Sequence, residues 1–215
     1  MTEMLIWPDR EEEQNALVAY AVGILRGGGL VAYPTDTVYG LGADASLPGA
    51  LQRIYQAKGR PDEKAIVWLV SSLDEAATVC SVNDAAHRLA NEFWAGALTL
   101  ILPLRKPTPG GLPTLGVRVP RHDVALRLIR AAGGMLATTS ANRSGQPSAR
   151  TAQEAKAQIG SAVDLIIDSG PAPLGVESSV VDLSIDPPAL LRSGAIDAAS
   201  IETALGRALD RRRTA

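Results

Sequence analysis

The sequence predicts a mixed α/β fold: a twisted sheet of parallel and antiparallel strands with flanking helices. Three observations predict it. Short apolar runs such as "LVAY" (30–33), "AIVWLV" (65–70) and "LTLIL" (98–102) read as buried strands, and amphipathic stretches of helical period lie between them. The two do not alternate strictly. The last strands, between 164 and 192, have connections too short for helical crossovers, so some pairs must be antiparallel. With 215 residues, 46% of them apolar, the chain can bury one large core, and residues 1–215 read as a single domain.

The elements follow in order. Residues 11–26 read as a helix with Leu17, Tyr20, Ala21, Ile24 and Leu25 on one face, stopped by "GGG" at 27–29. "LVAY" is a strand. A short helix covers 48–57, with Leu51, Ile54 and Tyr55 inward. "AIVWLV" is a buried strand, and 84–95 a helix carrying Leu89, Phe93 and Trp94. Strands follow at 98–102 and 116–120, then a helix with Asp123 as N-cap. "GMLATTS" (134–140) is a strand that runs into the polar loop "SANRSGQPS". Thr151 and Glu154 match a capping box for a helix over 152–159. "DLIID", "SSVVDL" and "ALLR" are three short strands, and the last helix covers about 200–210. The Pro/Gly-rich stretch 105–113 reads as a flap or surface loop, and the tail 211–215 as a flexible, solvated end.

Composition excludes several classes. A net charge of −2 and pI near 5.7 argue against a general nucleic-acid coat, which needs a broad basic surface. The single cysteine, Cys80, cannot form an internal disulfide and reads as a buried, inert thiol. His87 and His122 are the only histidines, so no Cys/His metal spacing exists. The N-terminus lacks the pattern of a secretory signal, and no apolar run reaches the roughly 20 residues of a membrane span. A cytoplasmic protein is expected.

Familiar catalytic motifs are absent or poorly placed. "GLGADA" holds Gly40, Gly42 and Ala45 at dinucleotide-fingerprint spacing, but "TDTVY" separates them from the strand and Pro48-Gly49 follow. There is no Walker A, H-E-x-x-H or G-x-S-x-G pattern. Ser140 or Ser179 could pair with His122 as in a serine hydrolase, with no local support.

More informative is a set of polar clusters, each beside an apolar strand. Thr35, Asp36 and Thr37 follow "LVAY"; Lys58, Arg60 and Lys64 precede "AIVWLV". Arg118 is a charge inside a strand. Thr139, Ser140, Asn142, Ser144 and Ser148 follow "MLAT"; Ser178 and Ser179 precede "VVDL"; Arg192 ends "ALL". Ligands of open α/β sheets bind where such strand ends converge. Each cluster alone is ordinary turn chemistry. Together, with almost no His, Cys or paired carboxylates, they suit binding an anionic substrate by hydrogen bonds and cationic side chains.

Five blocks, "YPTDTVYGLGADA", "KGRP", "SANRSGQPS", "GVESSVVDL" and "LLRSGAI", together resemble the YrdC family, the threonylcarbamoyl-adenylate synthases. The resemblance runs from about residue 15 to 196, and Lys58/Arg60 with Ser140/Asn142 match the family signature. It implies a large, positively lined cavity. It also implies a nucleotidyltransferase activity that makes threonylcarbamoyl-AMP and pyrophosphate from L-threonine, bicarbonate and ATP. Downstream proteins would then transfer the threonylcarbamoyl group to tRNA. The chain resembles the short, single-domain form. It departs from common patterns at Ala65-Ile66, Ala95, Ala97 and Ser193.

The resemblance implies roles by position. Lys58 and Arg60 are the catalytic candidates. Arg60, Lys64, Thr114, Ser140, Asn142, Ser148 and Arg192 would bind ATP. Thr37, Arg118, Thr138 and Ser179 would form the threonine pocket, with Thr35 one layer behind. Mg2+ would come with ATP, held mainly by phosphates and water. Partners beyond the substrates are the tRNA-modifying transfer proteins and weak contact with tRNA; both a monomer and a homodimer are compatible. Two alternatives stand: a non-enzymatic RNA-binding module, and a related ATP-binding enzyme with another acceptor.

Overall fold

The computed structural model describes residues 2–59, 66–106 and 112–210. Arg60, Lys64, the middle of the Pro/Gly-rich stretch and the tail 211–215 lie outside them. Ten strands form one sheet: β1 (Glu3–Ile6), β2 (Val31–Tyr33), β3 (Gly40–Ala43), β4 (Val67–Val70), β5 (Leu98–Pro103), β6 (Thr114–Arg118), β7 (Met135–Ser140), β8 (Leu165–Asp168), β9 (Ser179–Asp182) and β10 (Ala189–Arg192). The order across the sheet is β1-β8-β2-β3-β7-β4-β6-β5-β9-β10. Neighbours β1/β8, β8/β2, β4/β6 and β5/β9 are parallel, and the other pairs antiparallel, β9/β10 among them.

Helices α1 (Glu11–Arg26) and α5 (Asp123–Ala131) pack on one face of the sheet. α1 buries Leu17, Val18, Ala21, Val22 and Leu25, with three glutamates in its first turn and Arg26 in its last, each favourable to the helix dipole. Tyr20, expected inward, is 48% exposed and donates its hydroxyl to Glu3. The buried stripe runs through Val18 and Val22 instead. The other face carries α2 (Pro48–Lys58) and α6 (Ala152–Ile159) over β2, β3 and β7. It carries α3 (Leu73–Val79), α4 (Asp84–Phe93) and α7 (Ala198–Leu205) over β5, β6, β9 and β10.

Several expected boundaries move. β1, β3 and α3 are additional elements. α5 begins at Asp123 itself, with His122 in the cap position, and Asp123 receives Arg127 of the next turn. α7 stops at Leu205 because Gly206 takes a left-handed conformation (φ 70°). Half of the capping box forms: Thr151 accepts from the Glu154 N–H, while the Glu154 carboxylate accepts from the N–H of Arg150, one residue before the cap.

The stretch "GLGA", met in the sequence only as fingerprint spacing, forms β3, buried between β2 and β7. A β-carbon on Gly42 would stand 2.7 Å from Cε1 of Tyr33. The glycine thus makes room for a fully buried aromatic ring on the neighbouring strand.

Candidate functional site

Residues paired across neighbouring strands share a face. Gly40 pairs with Ser140, Val67 with Thr138, and Leu69 with Arg118. In β5, Leu98, Leu100 and Leu102 enter the core beside α4, which turns Thr99 the other way. The three strand pairs and Thr99 line one cavity of about 340 Å3 on the sheet's face, within the usual size range of small-molecule sites. The connection after β2, the loop after β7, the start of β9 and the end of β10 complete its walls. The site therefore has a sheet as its floor, as well as strand ends at its rim.

Thr35, Thr37, Lys58, Arg118, Thr138, Ser140, Asn142 and Arg192 all line this cavity, although they span 158 positions of sequence. Thr114, Ser148 and Ser179 do not, among the described residues. Thr114 pairs with Pro103 at the start of β6. Ser148 stands one hydrogen bond behind the wall and donates to Glu177 at 2.5 Å. Ser179 faces away: its hydroxyl donates to the Ile196 carbonyl and accepts from the N–H groups of Gly194 and Ile196. Its neighbour Ser178 faces the cavity, since adjacent strand residues point to opposite sides.

Arg118 is held on three sides. Nε donates to the Gly96 carbonyl (2.8 Å), Nη1 to Thr37 Oγ1 (2.9 Å) and Nη2 to Asp36 Oδ1. Five N–H groups make up a guanidinium, so one remains on each Nη. Burial pulls Arg118 below its ordinary pKa, and the adjacent Asp36 carboxylate opposes the pull. Asp36 also accepts from the Arg121 N–H at 3.1 Å, so a carboxylate with only 5% exposure has its charge partnered and hydrogen-bonded. Beside this pair lies His122, whose Nδ1 is buried without a partner among the described residues; burial keeps its pKa low.

Lys58 ends α2, where Gly59 closes the helix in a left-handed conformation. Its ammonium donates to the carbonyls of Ser140 (2.6 Å) and Asn142 (2.8 Å) and to Asn142 Oδ1 (3.2 Å). The Lys58 carbonyl accepts from Ser144 N–H. Lys58 thus ties the end of α2 to the loop after β7. Asn142 Nδ2 secures that loop from within through the carbonyls of Arg143 and Gln146.

On the opposite wall Arg192 donates to Glu177 (2.5 Å), the Ser178 carbonyl and Ser178 Oγ, and Ser178 meets Thr99 at 2.9 Å. Glu177 therefore joins Ser148 to Arg192. It is the one carboxylate in the described lining, against the cations of Lys58, Arg118 and Arg192. Asp36 stands in the sequence as a member of a polar cluster without a role of its own, and Thr99, Glu177 and Tyr33 are residues that sequence reasoning does not reach. For Glu177 the available signal was its place inside "GVESSVVDL".

A cationic and hydroxyl-rich cavity on the face of a mixed sheet has the chemistry that suits a small, polar, anionic ligand. Residues 23–194 match the family Sua5/YciO/YrdC, described as "Telomere recombination". A threonylcarbamoyl-AMP synthase from Pyrococcus abyssi (strain GE5 / Orsay) is 40% identical over 202 residues, which cover 92% of this chain and 59% of that protein. The structure of P. abyssi Sua5 complexed with L-threonine superimposes with a TM-score of 0.89 at 38% identity, covering 98% of this chain and 62% of that one. Escherichia coli YciO gives a TM-score of 0.82 at 33% identity, covering 92% of this chain and 98% of that one. The chain thus spans 59% of the length of the P. abyssi relative. It belongs to the Sua5/YciO/YrdC family.

Proposed function

We propose that the protein is an L-threonylcarbamoyladenylate synthase, which makes threonylcarbamoyl-AMP and pyrophosphate from L-threonine, bicarbonate and ATP. The observation that carries this reading is a single cavity shared by two sets of groups. Arg118, Thr37 and Thr138 offer a carboxylate partner and hydroxyls for an amino acid. Lys58, Ser140, Asn142 and Arg192 offer cations and donors for a nucleotide. The P. abyssi relative carries the same activity in its name, and a related structure holds L-threonine.

The chemistry asks two anions to meet. The carbamate formed on the threonine nitrogen attacks the α-phosphate of ATP, the P–O bond to the β-phosphate breaks, and pyrophosphate leaves. Positioning and charge neutralisation supply most of what such a step requires. No covalent enzyme nucleophile is needed. Arg60 and Lys64 are assigned to the triphosphate with Lys58; Ser148 acts from behind the wall by holding Glu177, Ser179 holds the 194–196 turn, and Thr114, outside the cavity lining, receives no contact role. Mg2+ would accompany ATP, held chiefly by phosphates and water, and would supply charge neutralisation there. The donor set fits that mode: among the described residues no group of three His, Cys, Asp or Glu could cage a metal, and Glu177 is already engaged by Arg192. No helix among the described residues is long and apolar enough to cross a membrane. ATP as a substrate and a tRNA-directed product support a cytoplasmic activity, with tRNA-modifying transfer proteins as the partners we propose.

Pyrophosphate release from ATP tests the reading. Release should require both bicarbonate and an amino acid, and should favour threonine over serine. Release that ignores either co-substrate refutes it; RNA binding without turnover would favour a binding module.

A further inference from the structure

A second hollow lies at the carboxyl ends of β4 and β6. These two strands are adjacent and parallel. From β4 the chain enters α3 on one face of the sheet, and from β6 it enters α5 on the other. Connections that part in this way leave a crevice outside the strand ends, a usual place for ligands in open α/β sheets. Here the crevice has a volume of about 400 Å3. Leu73, Trp94, Val119 and Leu126 form its apolar side. Ser71, Ser72 and Arg130 stand on its polar side.

Its walls are tied together from behind. The Ser71 N–H donates to the Gly134 carbonyl at 2.9 Å, which sets the end of β4 against the turn that follows α5 and Arg130. The Trp94 indole N–H donates to the Leu98 carbonyl at 2.7 Å and fixes the ring. The Gly96 N–H donates to the Val119 carbonyl at 2.8 Å, so segment 94–96 is held to the end of β6. The polar groups on the crevice are not used up in this way. Ser72 Oγ accepts from the Glu75 N–H, but the hydroxyl protons of Ser71 and Ser72 meet no acceptor among the described residues. Nor does the Arg130 guanidinium have an ion pair or a hydrogen bond among them, and no carboxylate stands in the described lining.

We propose that this crevice is a second binding site, which takes a small carboxylic acid with an aromatic or branched apolar body. The carboxylate meets Arg130 and the serine hydroxyls, all of them donors. The apolar body lies against Trp94, Val119 and Leu126. Inorganic phosphate would use the polar side and leave the apolar side uncovered, and an ammonium would find no counter-charge in the lining. The site is separate from the cavity on the sheet's face, and it does not depend on the reaction proposed there.

Amide NMR titration of the full chain with two probes tests this. 3-Phenylpropanoate carries the carboxylate; 3-phenylpropanamide has the same body without the charge. The acid should shift the resonances of residues 71–73, 94–96 and 126–130, and the amide should bind about tenfold more weakly, the difference between a charge-assisted and a neutral hydrogen bond. Arg130 is exposed at the end of α5, so Arg130→Gln leaves the fold intact and should bring the acid down to the affinity of the amide. Shifts confined to the cavity on the sheet's face, or no shifts at all, overturn the proposal. Equal affinity for acid and amide, or undiminished binding of the acid by Arg130→Gln, overturns it as well.

Discussion

Replacing Asp36 by asparagine keeps the shape of the side chain and removes its charge. Arg118 would then stand buried without a counter-charge, a change that costs about 3–5 kcal/mol when one partner of a buried pair is lost. Asp36→Asn should lower the unfolding midpoint in urea and raise the threonine requirement more than that for ATP. An unchanged midpoint would show that Asp36 does not carry Arg118. Nothing near Asp36 in sequence hints at this role, because its partner lies 82 positions away. Ser179 failed as a site residue for a different reason. In "ESSVV" two adjacent serines are chemically alike, and only the register of β9 decides which one faces the cavity. Arg118, by contrast, was legible: a lone guanidinium inside an apolar strand needs a reason to be there.

At the scale of elements, β3 shows why a strand can hide in a sequence. Glycine disfavours strands, and a pair of them invites a turn or a nucleotide loop. Here Gly42 is required because Tyr33 of β2 lies across it. Gly42→Ala should destabilise the fold by about 1–3 kcal/mol, the usual cost of forcing a methyl into a filled core. Thermal melting would show it, and an unchanged midpoint would mean that the ring has room to move. β1 was missed because residues 3–6 are only half-buried and sit at the sheet edge, where apolar alternation is faint. α1, α2 and α6 were legible because they carry both an apolar face and a start or stop signal, such as Pro48 or Thr151.

For the molecule as a whole, the mixed sheet could be anticipated from short connections, but the strand order could not. β7 lies between β3 and β4, and β8 between β1 and β2. Such insertions depend on side chains far apart in the chain, and no local pattern records them. That order is what gathers residues from position 35 to 192 onto one floor. It also settles how the floor is charged before any ligand arrives. Arg192 is already paired with Glu177, and Arg118 with Asp36. Under the proposed function, an incoming phosphate meets an Arg192 whose Nη1 already holds Glu177, so it must compete with that carboxylate for the guanidinium charge. Simple anions such as orthophosphate should compete poorly, and pyrophosphate, once formed, should be returned to solvent by the carboxylate that takes its place. Glu177→Gln should deepen inhibition by added pyrophosphate severalfold, on the scale of about 1 kcal/mol for a partly exposed pair. Unaltered inhibition would mean that the exchange does not occur. On this reading the acidic residue in a phosphate site serves turnover: it makes the grip on the leaving group reversible.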